Sequence, residues 1–339
     1  MKFKCKAVDL QKGISIVEKA VSSKSTLPVL ENIFFEVQEG SLKLRGNDLE
    51  IGIENVIPLQ SSEVQGKVLI KAKTISNIVS KLKQDDLLFD VHDNQKIKIN
   101  ASEQLAYDIL GMDSAEYPVF PSIEEGSTFS ISSRELGDLI KSTLFSASHD
   151  ETKHFLNGIL LSMKEEELTC VATDGYRLAL KKAASKISSS DFSVIAPFKA
   201  MNEIFKILQT FEEDSDIQVT VSENQISFRM KETLFISRLI QGQFPDYQQV
   251  LPQESQQSFS VSRKLLLEAS ERASIIASAS NNVVRLAFQN DQVEITANAI
   301  AMGDFKEEIP IQRLSGAGDS KIAFNVRLVM DAIKIMDDE

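Results

Sequence analysis

Three tandem domains of one α+β fold are predicted for this chain, and three observations predict them. A short alternating segment that opens on Phe recurs: Phe3-Lys4-Cys5-Lys6-Ala7-Val8, Phe129-Ser130-Ile131-Ser132-Ser133 and Phe259-Ser260-Val261-Ser262. Each copy is followed by a helical apolar pattern and then by an alternating strand pair. The strand-then-helix order also comes a second time inside every domain. Self-similarity at a period of about 130 residues means repeated domains, because short-repeat solenoids have periods of roughly 20–50 residues.

The first half of each domain reads alike. Helices are predicted over Leu10 to Val21, Leu136 to Phe145 and Leu265 to Ile276. Strand pairs follow over Asn32 to Val37 with Ser41 to Leu44, Gly158 to Met163 with Leu168 to Ala172, and Val283 to Phe288 with Gln292 to Ala297. The second halves open on Lys67-Val68-Leu69-Ile70, Phe192-Ser193-Val194-Ile195 and Lys321-Ile322-Ala323-Phe324. Those runs lead to helices over Ala72 to Leu82, Phe198 to Leu208 and Val326 to Met336. Apolar residues at helical spacing, such as Ile75, Ile78, Val79 and Leu82, give each helix one face to lay on a sheet. Each domain is therefore two strand–helix–strands units.

The joints repeat as well. Ala115-Glu116-Tyr117-Pro118-Val119-Phe120-Pro121 closes the first domain, and Gln243-Phe244-Pro245-Asp246-Tyr247 to Pro252 closes the second. Proline holds its predecessor extended, which suits a connection. The expected domains are 1–125, 126–253 and 254–339, the last without the final strands that its two predecessors have. A chain shortened at its C-terminus is the expectation.

Composition excludes several classes. With 42% hydrophobic and 25% charged residues in 339, the chain can bury sizeable cores. No apolar run approaches the roughly 20 residues that cross a bilayer, and the charged start Met1 to Lys6 has no signal-like core behind it. Cys5 and Cys170 sit in separate strand-like runs and read as two buried, reduced thiols.

The net charge of −12 argues against a nucleic-acid partner until its distribution is read. Six helix windows, 9–24, 71–83, 133–144, 197–208, 262–274 and 325–336, hold 16 Lys and Arg against 8 Asp and Glu. The rest of the chain holds 21 against 41, so an acidic protein carries basic helices. Scattered surface lysines explain any one helix. Taken across all six, the bias points to a positive surface that attracts phosphate backbones without reading sequence. No zinc-finger spacing or aromatic stacking platform accompanies it, so non-specific duplex binding is implied.

Catalytic and metal chemistry find little to use. His149 and His154 are five apart and diverge on a helix, so His149 to His154 reads as a polar loop. Ser315-Gly316-Ala317-Gly318-Asp319-Ser320 matches no phosphate or dinucleotide fingerprint, and Asn100-Ala101-Ser102 is a chance sequon. No Gly-x-Ser-x-Gly and no nucleophile–base pair stands out. A hydrolase using Asp174 and His149 would rest on isolated residues. A peptide-binding adaptor without DNA is the other alternative, favoured by the net charge.

One stretch remains unexplained by turn chemistry alone. Thr173-Asp174-Gly175-Tyr176-Arg177-Leu178 follows a strand-like run, and Asp-Gly marks a tight turn. The aromatic, Arg and Leu that follow would rim an apolar surface pocket.

Read together and in order, several motifs resemble those of the bacterial DNA polymerase III beta subunit family, the sliding clamps. They are Thr26-Leu27-Pro28-Val29-Leu30 with Asn32, Asp48-Leu49-Glu50, Leu156-Asn157-Gly158, Val171 to Leu178, Phe244-Pro245-Asp246-Tyr247, Val250-Leu251-Pro252 and Phe324-Asn325-Val326. The resemblance runs the length of the chain. It implies DNA-clamp-like domains in a head-to-tail homodimeric ring, helices lining a channel around double-stranded DNA and sheets outside. It implies no catalytic residue, cofactor or metal, no membrane, and a cytoplasmic, nucleoid-associated protein. Implied partners are the DNA polymerase III alpha subunit, the clamp loader and other proteins carrying a clamp-binding motif.

By the same resemblance, a peptide pocket between the second and third domains takes Leu156, Thr173, Gly175, Tyr176, Arg177, Leu178, Pro245, Val250 and Asn325. Leu156, Leu178 and Val250 would receive apolar anchors, while Arg177 and the turn backbone would meet the peptide's polar groups. Gln248 and Gln249 stand where some relatives carry Arg, and the Met-Pro-Met-Arg-like tail of relatives is absent. DNA contacts are expected from Lys24, Lys73, His149, Lys153, Phe155 and Lys199. Tyr107 and Ile109 should meet Ile275 and Ile276 of another copy, although each of the four also suits a domain core.

Overall fold

The computed structural model describes residues 1–22, 27–82, 86–150, 152–184, 190–289 and 291–336. The first elements are β1 (Lys2–Lys6), α1 (Ala7–Val17), β2 (Asn32–Gln38), β3 (Ser41–Asn47), β4 (Ile51–Pro58), β5 (Ser61–Val64), β6 (Gly66–Lys71), α2 (Ala72–Val79), β7 (Asp86–Val91), β8 (Lys96–Asn100) and β9 (Ala106–Leu110). Next come β10 (Ser127–Ser132), α3 (Ser133–Leu144), β11 (Gly158–Lys164), β12 (Glu167–Thr173), β13 (Leu178–Ala184), β14 (Phe192–Pro197), α4 (Phe198–Leu208), β15 (Asp216–Val221), β16 (Gln225–Met230) and β17 (Thr233–Arg238). The last are β18 (Ser258–Val261), α5 (Arg263–Ala277), β19 (Val283–Phe288), β20 (Gln292–Ala299), β21 (Gly303–Ser315), β22 (Ser320–Asn325) and α6 (Val326–Ile335).

The predicted helix over 198–208 matches α4, and the other five predicted helices shift only at their ends. α1 starts early, at Ala7, because Ala7 joins Leu10, Ile14 and Val17 on the buried face. It then tightens into a 3₁₀ turn, Glu18–Ala20, where the regular ladder ends.

The chain packs as two compact units. Unit 1 holds Met1–Ala172 and Leu180–Gly242, and unit 2 holds Thr173–Ala179 and Gln243–Glu339. Unit 1 has sheets in the orders β5-β1-β7-β8-β9, β10-β15-β16-β17-β4-β3-β2-β6 and β13-β12-β11-β14. The eight-stranded sheet is the informative one, because β17 pairs antiparallel with β4, Phe235 opposite Ile53. The predicted first and central domains thus share one continuous sheet. A buried hydrogen bond of 2.9 Å from Asn55 Nδ2 to Thr233 Oγ1 crosses that seam.

The helices of unit 1 each cover a sheet with one apolar stripe. Ile75 and Val79 of α2, Leu136, Leu139 and Ile140 of α3, and Met201, Ile204 and Ile207 of α4 are all buried at three- and four-residue spacing. They join β-strand residues such as Phe35, Phe89, Phe228 and Phe235 in one core. Gly158 starts β11 against β14. A Cβ there would lie 2.2 Å from the Ala196 carbonyl oxygen, so only glycine permits this strand approach. Cys5 and Cys170 are buried as predicted, and burial pushes both thiols up to about 12, with Asp9 and Asp86 adding to the shift at Cys5.

Unit 2 has one sheet in the order β18-β21-β20-β19-β22. α5 lies on it through Ala269, Ala273 and Ala277, small residues that allow close approach, while α6 buries Val326 and Ile333. β21 is long. Residues 303–310 pair with β20 and 311–315 pair with β18 on the other side. On that second side, residues 303–310 face no strand among the described residues. β9 is likewise the last strand of its sheet in unit 1.

Candidate functional site

The tip between β12 and β13 is a turn braced from within. Gly175 takes φ +92°, the left-handed region glycine enters freely. Thr173 Oγ1 donates to the Arg177 carbonyl at 2.6 Å and accepts the Gly175 N–H at 3.1 Å. One Asp174 oxygen accepts the N–H groups of Tyr176 and Arg177 at 2.9 and 3.0 Å. The other accepts Arg177 Nε at 3.1 Å. Both Asp174 oxygens are therefore engaged in holding the turn, and the N–H groups of Gly175, Tyr176 and Arg177 are satisfied within it. Of the turn backbone expected to meet a peptide's polar groups, the Gly175, Tyr176 and Arg177 N–H groups are bonded to Thr173 and Asp174.

Arg177 is also committed. Its Nη1 donates to Asp331 Oδ2 at 2.9 Å and to the Leu328 carbonyl at 3.4 Å, which pins the tip to α6 inside unit 2. Asn325 opens α6, accepting the Arg327 N–H at 3.1 Å as its N-cap. Tyr176 is 86% exposed and Val250 69% exposed, and Pro245 is exposed beside the 3₁₀ turn Tyr247–Val250 that Asp246 caps. Within unit 2 the tip is bonded to α6, which Asn325 caps, and the apolar side chains of Tyr176, Pro245 and Val250 are exposed. Leu178 is half-buried. Leu156 belongs to unit 1, where it is buried in the 3₁₀ turn His154–Leu156.

The predicted nucleic-acid residues fall in unit 1, apart from Lys24, which lies outside the described residues. Lys73 is exposed on α2, and Lys153 and Phe155 are partly exposed around the turn that holds Leu156. His149 packs edge-on against Phe198, ring centroids 4.7 Å apart. It is exposed in a segment with no regular structure, in keeping with the polar loop read from the sequence, and Phe198 is its ring contact. His149, Phe198 and Lys199 line a cleft of 570 Å³ together with Glu50, Asn157 and Arg238.

Lys199, expected to contact DNA, is paired with acids within unit 1. Its Nζ lies 2.5 Å from Asp48 Oδ2 and 3.8 Å from Glu50 Oε2. Burial works against its charge, but the bond to Asp48 and the nearby Glu50 outweigh burial and raise its pKa. The sequence reading recorded Asp48-Leu49-Glu50 only as a motif, and nothing local tied it to a lysine 151 positions away. Asp331, the partner of Arg177, was missed for the same reason.

Of the four predicted contacts between copies, only Ile275 is well exposed, at 62%. Tyr107 and Ile109 pack partly on the core of unit 1, and Ile276 packs partly on that of unit 2. Among the described residues, no group of three His, Cys, Asp or Glu is placed to hold a metal ion.

Comparison with known proteins gives one family along the whole chain. Models of the DNA polymerase III beta subunit match its N-terminal domain over residues 1–121, its central domain over 130–246 and its C-terminal domain over 248–339. The beta sliding clamp of Bacillus subtilis is 34% identical over 347 residues, covering 99% of this chain and 91% of that protein. That of Halalkalibacterium halodurans is 34% identical over 339 residues, covering 96% and 88%. Among solved structures, the DNA polymerase sliding clamp from Bacillus subtilis matches with a TM-score of 0.91 at 31% identity, covering 99% of this chain and 90% of that one. The DNA polymerase III beta subunit from Thermotoga maritima matches with a TM-score of 0.92 at 25% identity, covering 100% and 90%.

Proposed function

The chain belongs to the DNA polymerase III beta subunit family, and from that premise we propose how its surfaces serve the work of a sliding clamp. It is a non-catalytic processivity factor of DNA replication with the three-domain clamp fold. DNA and polymerase are its partners, and it dimerises. The ordered run of three family domains carries this reading. The boundaries 1–125, 126–253 and 254–339 are supported by the starts of β10 and β18, just inside the second and third segments.

Two copies join head to tail into a ring around duplex DNA in the cytoplasm, on the nucleoid. Lys73, His149, Lys153, Phe155 and Lys199 meet the phosphate backbone, with Lys24 beside them. A surface held by phosphate contacts carries no sequence information, which is what a part that must slide requires. Topology then retains the DNA. The protein is expected to stay on a nicked circular duplex and to leave it once the circle is cut to a linear form. Retention that is indifferent to linearisation overturns the encircling reading and favours the peptide-binding adaptor.

Short linear peptides of the polymerase III alpha subunit, the loader and other clamp-binding proteins dock on unit 2. Tyr176, Leu178, Pro245 and Val250 supply apolar surface there. Arg177 sets its shape, because its bonds to Asp174, Asp331 and Leu328 fix the tip on α6. Arg177→Ala is expected to weaken a polymerase-tail peptide by roughly 10-fold, because it frees the tip from α6 and the docking surface loses its fixed shape. Isothermal titration with the full chain checks this, and unchanged affinity counts against the site.

A further inference from the structure

The loop between β3 and β4 is built around one carboxylate. Asp48 Oδ1 accepts the N–H groups of Glu50 and Ile51 at 3.0 and 2.7 Å. Asn47 Oδ1 accepts the Leu49 N–H at 2.8 Å, and Leu49 itself sits at φ +75°. A leucine in the left-handed region is strained and persists only where its surroundings over-determine it. Here the two side-chain acceptors, and an Arg238 N–H bonded to the Glu50 carbonyl at 2.9 Å, do so. The result fixes Asp48, its side chain only 7% exposed, with Oδ2 turned to Lys199.

Lys199 lies in the first turn of α4, where a cation opposes the helix dipole and an anion suits it. Asp48 therefore complements both the lysine and the helix end. Two carboxylates, Asp48 and Glu50, face one ammonium, so the group as a whole is not positive. A phosphate approaching Lys199 meets a charge already engaged by a preorganised partner.

We infer that Asp48, backed by Glu50, is an affinity-setting residue: it holds Lys199 in an internal ion pair that a DNA phosphate has to break. This rests on the reading that Lys199 faces DNA. A clamp held by topology gains nothing from tight phosphate contacts, and each one adds friction to sliding. The acidic pair reduces one such contact while keeping the lysine poised.

The test is binding of the 339-residue chain to a labelled blunt duplex, followed by fluorescence anisotropy over a salt series. Asp48→Asn keeps the Oδ1 acceptor of the turn and removes the charge. It is expected to tighten binding roughly threefold at low salt, the scale of one partly exposed pair. It should also steepen the dependence of log K on log salt by about 0.9, one additional phosphate neutralised. Glu50→Gln, which leaves the turn's acceptors untouched, should move both readouts the same way by less, and it serves if the Asn variant folds poorly. In a Lys199→Ala background, Asp48→Asn should change neither affinity nor slope.

Equal tightening in that background marks a diffuse charge effect and overturns the inference. So do an unchanged affinity and slope in both single acidic variants when Lys199→Ala still weakens binding, an outcome that leaves the DNA-facing reading intact. If Lys199→Ala and both acidic variants all leave binding unchanged, the DNA-facing reading of Lys199 falls and the inference falls with it.

Discussion

Phe235→Ala is expected to lower the unfolding free energy by about 3–5 kcal/mol, the range for removing a fully buried phenylalanine. Phe235 has 0% exposure, meets Phe228 edge-on with centroids 6.2 Å apart, and pairs across the ladder with Ile53. The cavity would open at the β17–β4 seam, where the predicted first and central domains share a sheet. For a body of roughly 150–250 residues, each kcal/mol shifts the midpoint by about 2–4 °C, so a fall of about 6–20 °C in Tm is expected. Phe235→Leu, which keeps most of the volume, should cost well under half as much. Urea unfolding followed by circular dichroism checks both. A loss below about 1 kcal/mol for the alanine variant would mean that the seam relaxes around the cavity.

That seam shows where the sequence stops speaking. The apolar residues of β4 and β17 mark both strands for burial. They do not tell which strand lies alongside, because any strand with the same apolar pattern would fit there. Asn55 and Thr233, bonded across the seam, are 178 positions apart. The helices were legible for the opposite reason. Their signal is local, three- and four-residue spacing of Met201, Ile204 and Ile207 in α4, for example, and α4 lies where that spacing placed it. The turn at Thr173–Leu178 was legible too, since Asp-Gly chemistry is contained in four residues.

The candidate sites divide along the same line. Residue types and rough location could be named from the chain, but their electrostatic partners could not. Lys199 read as a DNA contact with no acidic partner because Asp48 is far away in sequence, and Arg177 read as a peptide ligand because Asp331 is. In both cases the missing piece was an acid brought in by tertiary packing, and in both it changes what the basic residue can do. Adjacent residues on α5 posed a smaller version of the problem. Periodicity alone did not decide between Ile275 and Ile276, and packing puts Ile276 against the core and leaves Ile275 outside.

Ile275→Asp is therefore expected to separate the ring into monomers. Ile275 is 62% exposed on α5, near exposed Arg272 and the exposed Ser278 that follows the helix. An isolated exposed isoleucine is ordinary. Among the described residues, the 303–310 part of β21 in unit 2 has no strand on its second side, and β9 in unit 1, where Leu110 is 72% exposed, is the last strand of its sheet. Open edges invite pairing with another chain unless they are managed, and a head-to-tail contact uses two different edges of this kind. An aspartate at 275 would put an unpaired charge into that contact and remove an apolar anchor, which together weaken association by about 100-fold or more. Within the monomer the same change replaces a solvent-facing side chain, at a cost of only a few tenths of a kcal/mol in helix propensity. The two effects separate cleanly: sedimentation velocity over a concentration series should show a monomer, while the thermal midpoint measured at a concentration where the wild type is also monomeric stays put. Ile276→Asp should do the reverse at the level of folding, because its side chain packs on the core of unit 2. If Ile275→Asp still sediments as a dimer, α5 does not carry the contact, and the ring must close through the strand edges alone.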